Sequence, residues 1–283
     1  MKILVTGATG FIGNHVIQTL LRLNHDIIAT SRNMEKARKF SWFDKVTYIP
    51  ADLNENRENY FHFFEEPEIV IHLTWEGLPN YKDLFHFEKN LMSQYDFLRN
   101  LIIHGLKKLC VTGTCFEYGM QNGCLSEEMN TNPVTPYGLA KDCLRKFLEI
   151  LHQKCNYSLT WIRLFYMYGN GQSEKSLLSQ LEAAIQKGDK SFNMSGGEQL
   201  RDYLPVEKVA EYIVSIALQD RIQGIINCCS GKPISIRKFV ENFLEERQSD
   251  ISLNLGYYPY PDYDPMAFGG SNKKFNLISE SDL

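Results

Sequence analysis

In the stretch VTPYGLAKDCLRKF (134–147), Tyr137 and Lys141 stand four residues apart just after Pro136. On a helix that spacing puts a phenol and an ammonium on one face, ~6 Å apart. A phenol titrates near pH ~10, and a neighbouring ammonium favours its phenolate. Such a pair could exchange a proton with a substrate oxygen near neutral pH. Tyr and Lys at this spacing are also common on solvated helix faces, so the pair alone leaves both readings open.

A glycine loop carries a more specific signal. The run 2–7 leads straight into GATGFIG, with Gly7, Gly10 and Gly13 at a strand-to-helix turn and a helix opening near Phe11. Glycines there permit the tight turn, let the backbone approach a pyrophosphate, and let the helix pack on the strand. The helix N-terminus adds amide donors and a partial positive charge. The expectation is a dinucleotide site whose phosphate cradle is Gly7, Thr9, Gly10, Phe11, Ile12 and Gly13. Roughly 20 residues further on, an NAD site usually has Asp or Glu for the ribose 2′-hydroxyl. Here stand Ser31 and Arg32. A hydroxyl followed by a guanidinium suits a 2′-phosphate, so NADP(H) is preferred and NAD(H) left open. The plain alternative is a solvated Arg32 at a helix start.

The elements that must position these residues alternate. Short β-rich runs at 2–7, 26–32, 46–52, 68–74, 107–113 and 158–165 are separated by helical stretches at 11–22, 33–40, 83–104 and 136–155. Strands apolar on both faces, with helices between them, predict a parallel sheet with right-handed crossovers. Helices at 176–187, 206–218 and 235–247 and a strand in GIINCCS follow, before the aromatic, Pro-rich GYYPYPDYDPMAFGG. The fold class is α/β: a Rossmann-type doubly wound parallel sheet with a smaller C-terminal substrate-binding cap. Residues 1–165 form the dinucleotide-binding half, segments near 201–235 return to it, and 166–283 are mainly cap.

The chain has 283 residues, 43% hydrophobic and 23% charged, enough for one large domain or two interlocked ones. A net charge of −4 gives no pull toward nucleic acid or an anionic membrane, and neither is expected as a partner. A phosphate-bearing ligand therefore needs a local set of donors. The seven cysteines show neither a C-x-x-C pair nor zinc spacing, so no metal site is expected. Their scatter suits a reducing compartment, most thiols being small core residues. The N-terminal apolar run is too short for a secretion signal and no stretch approaches a membrane span, which predicts a cytoplasmic location.

Five ordered motifs, spanning nearly the whole chain, resemble the extended short-chain dehydrogenase/reductase family in its nucleotide-sugar epimerase/dehydratase group. They are GATGFIG, Asp52-Leu53, IHLT at 71–74, VTGTCFEYG at 111–119 with YGLAK at 137–141, and LRDYLPVEKVA at 200–210. The resemblance implies that Asp52 and Leu53 contact adenine, that Leu73 and Thr74 line the nicotinamide-ribose path, and that Asn90 adds a cofactor contact. It implies Thr114, Tyr137 and Lys141 as the catalytic set. Tyr137 would be the general acid and Lys141 its tuner and ribose clamp. Thr114 would hydrogen-bond the carbonyl oxygen as negative charge builds there. The family more often has two small residues after His-Leu, where this chain has Thr74-Trp75.

Within that family, 4,6-dehydratases carry Asp-Glu directly after the catalytic Thr; here Cys115 and Phe116 stand there. The 3,5-epimerising members need Cys at the second position. Phe116 cannot serve as an acid or base, and Cys115, by strand alternation, faces the other way as a core thiol. Hydride chemistry at a sugar carbonyl remains. Ser31-Arg32 and the short cap favour an NADPH-dependent 4-ketoreductase of a nucleotide-linked 4-keto-6-deoxy sugar, of the dTDP-4-dehydro-6-deoxyglucose type, for surface polysaccharide. HLTWEGLPNY, TGTCFEYG and PYPDYDPMAF resemble such reductases. The alternatives are a 4-epimerase with tightly held NAD and a non-catalytic NADP-binding sensor or scaffold.

The expected small-molecule partner is therefore a nucleotide sugar. By resemblance Arg201 lies on its pyrophosphate, the plain alternative being a salt bridge to Asp202 or Glu207. Tyr166 replaces the Asn usual in the epimerases. The resemblance puts the Thr114–Cys115–Phe116 segment at the substrate, while Trp75, Glu76, Tyr81 and 257–268 are candidates for stacking or hydrogen-bonding the hexose or the base. Stripes at Leu91, Tyr95, Leu98, Ile102 and at Leu144, Phe147, Leu148, Leu151 correspond to the family's four-helix dimer interface. A homodimer is expected, although such stripes equally form internal core.

Overall fold

The computed structural model describes residues 1–278, so the last five residues of the expected cap lie outside it. In chain order the principal elements are β1 (Lys2–Thr6), α1 (Phe11–Arg22), β2 (Asp26–Thr30), β3 (Thr47–Tyr48), β4 (Ile69–His72), α2 (Leu91–Ile103), β5 (Lys108–Thr114) and α3 (Pro136–His152). They continue with β6 (Ser158–Leu164), α4 (Leu177–Lys187), α5 (Val206–Leu218), β7 (Gly224–Cys228) and α6 (Ile236–Glu246). The strands form one seven-stranded sheet, order β7-β6-β5-β4-β1-β2-β3, every pair parallel. This is a Rossmann-type doubly wound fold. Its switch point lies between β1 and β4, where a crevice opens beyond the carboxyl ends of the strands.

The sheet is apolar on both faces because helices cover both. One face packs Ile3, Val5 and Ile71 against Val16, Ile17 and Leu20 of α1 and Ile213 and Val214 of α5. The other packs Leu4, Val70 and Val111 against Leu98 and Leu101 of α2 and Leu144 and Leu148 of α3. The expected strand 46–52 shrinks to Thr47–Tyr48 at the sheet edge. Pro50 follows closely, and it has no N–H to extend a ladder. The helix expected over 83–104 starts with a π-helical turn at His86–Asn90 before α2.

Beyond β6 a smaller core joins α4 and α6 through Leu178, Leu181, Met194, Val240, Leu244 and Ile251. The strands Ser191–Asn193 and Ser252–Asn254 pair beside it. α5 and β7 return to the main sheet, and Phe268–Gly270 pairs with Gly123–Leu125. All seven cysteines are free thiols; Cys110, Cys115, Cys228 and Cys229 are buried, whereas Cys124 is exposed. Among the described residues no helix is long and apolar enough to cross a membrane, and no group of three or more His, Cys, Asp or Glu could hold a metal ion.

The two apolar stripes resolve differently from their expected use. Leu91, Leu98, Ile102, Leu144 and Leu148 are buried beneath the sheet. The exposed apolar side chains of the same two helices are Met92, Ile103, Leu139, Phe147 and Ile150.

Candidate active site

The turn after β1 needs its glycines. Gly7 has φ +70°, and a Cβ on Gly13 would stand 2.2 Å from the Gly7 carbonyl oxygen. Side chains there would push α1 off the strand and close the cradle. Beyond this turn runs a cleft of about 540 Å³. Gly7, Thr9 and Gly10 line it together with Ser31, Arg32, Asp52 and Leu53 from the segments after β2 and β3 and with Leu73, Thr74, Trp75 and Glu76 from the loop after β4. A cleft over a helix N-terminus, with a glycine cradle in its wall, fits a dinucleotide. Phe11, Ile12 and Gly13 begin α1 behind the cradle. Asn90 does not reach the cleft. It is buried and donates to the Glu76 carbonyl at 2.9 Å, fixing the 74–78 loop.

At the β2 end the Ser31 hydroxyl lies between Thr9 Oγ1 (3.1 Å) and the Tyr48 hydroxyl (2.8 Å). Arg32 is ion-paired with Glu76. Glu76, expected at the sugar, is the partner of this guanidinium. Asn33 and Lys36 also line this end and were not among the expected residues. Arg32 and Lys36, four apart just past a strand, are the signal that could have found the second cation.

Behind Trp75, α3 carries Tyr137 and Lys141. Thr135 caps the helix by accepting from the Gly138 N–H at 3.1 Å, and Pro136 opens it. Tyr137 and Lys141 consequently point into the protein and are buried. Burial pushes the Tyr137 phenol above its ordinary value, reinforced by Tyr81, while a hydrogen bond with the Thr114 hydroxyl pulls it down. Burial lowers the Lys141 amine to about 7, with Glu117 opposing. This corrects the expectation that the ammonium brings the phenol toward neutrality. Nζ instead donates to the Thr112 carbonyl at 2.8 Å and lies 4.1 Å above the Trp75 ring.

Trp75 is itself held, its Nε1–H donating to His86 Nδ1 at 3.1 Å while His86 Nε2 meets the Asn80 carbonyl at 2.9 Å. Trp75, expected to stack on the sugar or base, packs over the lysine and also lines the cleft. No periodicity links Trp75 to His86, eleven residues on, and sequence reasoning missed the histidine.

Thr114 ends β5 and caps the turn Cys115–Tyr118. Its Oγ1 accepts from the Phe116 N–H at 3.3 Å, and its own N–H donates to Glu117 Oε1 at 2.9 Å. Glu117 is buried against Arg163 (2.6 Å) and Trp161 Nε1 (2.9 Å), so the turn that aims Thr114 is anchored beneath the sheet end. Phe116 faces Tyr137 and Tyr81, with ring centroids 6.2 and 4.8 Å away. Cys115 packs inward with Tyr118, Leu125, Phe165 and Phe268, and burial pushes its thiol up, away from any role as a base.

Arg201 is fully buried and paired with Asp264 at 2.7 Å, beneath Tyr166, whose hydroxyl meets the same carboxylate at 2.9 Å. Its partner is thus neither Asp202 nor Glu207. Asp202 instead accepts from the Ser230 and Gly231 amides.

A Rossmann sheet whose crevice brings a glycine cradle up to a Thr–Tyr–Lys set defines an oxidoreductase of the extended short-chain dehydrogenase/reductase type that uses a nicotinamide cofactor. The chain belongs to the NAD dependent epimerase/dehydratase family, whose model matches residues 3–229. A dTDP-6-deoxy-L-talose 4-dehydrogenase (NAD(+)) of Aggregatibacter actinomycetemcomitans is 31% identical over 277 residues, covering 96% of this chain and 100% of that one. A GDP-6-deoxy-D-talose 4-dehydrogenase of the same organism is 26% identical, covering 98% and 91%. Among solved structures, the UDP-N-acetylglucosamine 4-epimerase of Methanobrevibacter ruminantium superposes with TM-score 0.85 at 23% identity, covering 98% and 91%. The UDP-glucose 4-epimerase of Thermotoga maritima gives 0.85 at 21%, covering 98% and 92%.

Proposed function

We propose that the protein is a 4-ketoreductase that passes hydride from NADPH to C4 of a nucleotide-linked 4-keto-6-deoxyhexose, for surface polysaccharide. The observation that carries this is that Tyr137 packs against Phe116 of the turn that Thr114 caps, with Cys115 and Phe116, and no carboxylate, at the two positions after Thr114. A set that can polarise a carbonyl and deliver a proton, without an adjacent base, is suited to reduction. The two 6-deoxytalose 4-dehydrogenases catalyse, by their names, the oxidation that reverses this bond change.

A nicotinamide held in the cleft supplies the hydride. Thr114 orients the substrate oxygen. Tyr137, its phenol held above the ordinary value, keeps its proton at neutral pH and donates it from its hydroxyl as charge develops. By the family resemblance Lys141 would hold the ribose, with Trp75 yielding the face that now covers its ammonium. Arg32 and Lys36, with no carboxylate among cleft residues 30–36, favour a 2′-phosphate. The relative's NAD(+) dependence supports a second reading in which NADH serves. We take residues 1–165 with α5 and β7 as the cofactor half and the remainder as the sugar-nucleotide cap. Met92, Phe147 and Ile150 support a homodimer through α2 and α3.

The test is a panel of 4-keto-6-deoxy nucleotide sugars with NADPH and NADH, followed at the nicotinamide absorbance. Oxidation of the cofactor is expected. Interconversion of 4-epimers by protein retaining NAD, with no cofactor added, would make it an epimerase. Binding of NADP without turnover of any sugar, unaffected by Tyr137→Phe, would make it a sensor.

A further inference from the structure

Trp75 lines the cleft, and Lys141 lies behind it. The lysine is only 2% exposed, with its nitrogen 4.1 Å above the indole ring. An ammonium has three N–H donors, and among the described residues one acceptor, the Thr112 carbonyl at 2.8 Å, receives one of them. A ligand in the cleft therefore meets the indole before it can reach the amine. Among the described residues one hydrogen bond holds the indole there, from Nε1–H to His86 Nδ1 at 3.1 Å. The indole nitrogen can only donate, and the Asn80 carbonyl 2.9 Å from His86 Nε2 can only accept. The imidazole must therefore be neutral with its proton on Nε2, and burial, which lowers its pKa, favours that form. His86 is itself buried in the π-helical turn before α2 and lies nearly parallel to the indole, with ring centroids 6.3 Å apart.

We propose that Trp75 is a gate between the cleft and Lys141: His86 holds the indole shut over the amine, and the nicotinamide ribose must displace it to reach Nζ. This rests on the reading above in which Lys141 holds that ribose, and it makes His86 a positioning residue. Opening breaks the bond to His86 and uncovers the ammonium. The apparent affinity for the dinucleotide is then reduced by the fraction of molecules that are open. The adenosine half, which the same reading sets beside Ser31, Arg32, Asp52 and Leu53, binds without moving the gate.

Calorimetric binding of NADP+ and of its adenosine half, 2′,5′-ADP, to protein freed of nucleotide tests this, with NAD+ and ADP as the pair should the protein prefer NAD. Trp75→Ala removes the gate. His86→Phe removes the acceptor that holds it and keeps a ring beside the indole. Each variant should bind the dinucleotide at least about threefold more tightly than the wild type, and the adenosine half within about twofold of it. Binding of the adenosine half also shows that a variant has folded, and either folded variant decides the matter. An indole that serves as a fixed wall for the nicotinamide gives the opposite sign, because its loss weakens the dinucleotide alone. Dinucleotide binding that is unchanged or weaker in a folded variant therefore overturns the gate. Failure of the wild type to bind either dinucleotide overturns the cofactor reading as well, and so distinguishes the two.

Discussion

Lys141 Nζ stands 4.1 Å above the ring of Trp75 while donating to the Thr112 carbonyl at 2.8 Å. The indole does two opposing things. Its face attracts the ammonium, by roughly 0.5–2 kcal/mol, and its bulk keeps water away. Burial is the larger influence and holds the amine at about 7. Trp75→Ala, by admitting water, should therefore raise the Lys141 pKa toward the ordinary lysine range, whereas Trp75→Phe should leave it low. Titration of the Lys141 side-chain carbon resonance in lysine-labelled protein would read this. An unchanged midpoint in Trp75→Ala would mean the indole does not shield the amine.

Removal of the phenol or the threonine hydroxyl should separate chemistry from binding. Tyr137→Phe is expected to lower kcat by about 10²–10⁴ and Thr114→Val by about 10²–10³. Neither should weaken cofactor binding more than a few-fold, since Thr114 does not line the cleft and Phe preserves the Tyr137 ring packing. Cofactor titration and steady-state rates on the same preparations provide the comparison.

The Arg32–Glu76 ion pair should compete with a 2′-phosphate for the same guanidinium. Arg32 is exposed, and a pair of this kind is worth about 0–1 kcal/mol. Glu76→Gln should accordingly tighten NADPH up to about fivefold and leave NADH unchanged. The double variant Arg32→Ala/Lys36→Ala should weaken NADPH selectively. Equal effects on both cofactors would refute a 2′-phosphate site at this end.

His72 predicts acid sensitivity. The ring is fully buried, with Nδ1 3.0 Å from the Thr6 hydroxyl, which itself accepts from the Leu73 N–H. Burial, then the charge of Lys141, lowers its pKa to about 3 from an ordinary value near 6.5. Between those values the unfolded chain takes up a proton that the folded one refuses, so stability falls as pH drops through that window and is insensitive to this group above it. The loss should amount to a few kcal/mol. Denaturant unfolding at pH 4.5 and pH 7 should show it, and His72→Gln should flatten the difference.

Legibility followed the range of the interactions. β1, the glycine turn and α1 were readable because their signals are local: an apolar run, φ > 0 at Gly7, and a close approach at Gly13. Tyr137 and Lys141 were readable as a pair for the same reason, one helix turn apart behind a Thr-Pro start. What surrounds them was not. Trp75, His86 and Thr112 reach Lys141 or its neighbour from the loop after β4, the π-helical turn before α2 and β5, and their contacts depend on sheet order and loop path. The stripes on α2 and α3 were read as one surface, but a helix between sheet and solvent has apolar residues on both sides; packing separated Leu144 and Leu148 from Phe147 and Ile150.

The amino-acid order by itself determined the α/β alternation, the glycine turn and the Tyr137–Lys141 pair, since periodicity and backbone permissiveness are properties of neighbouring residues, whereas Thr114 was reached only through the family resemblance. Only the tertiary structure decided which charges are free to act. It joined Arg201 to Asp264 across 63 positions, turned Glu76 toward Arg32, and sealed Lys141 beneath an indole. A side chain's charge state and partner depend on the solvent and dipoles around it, and those are supplied by segments distant in the chain.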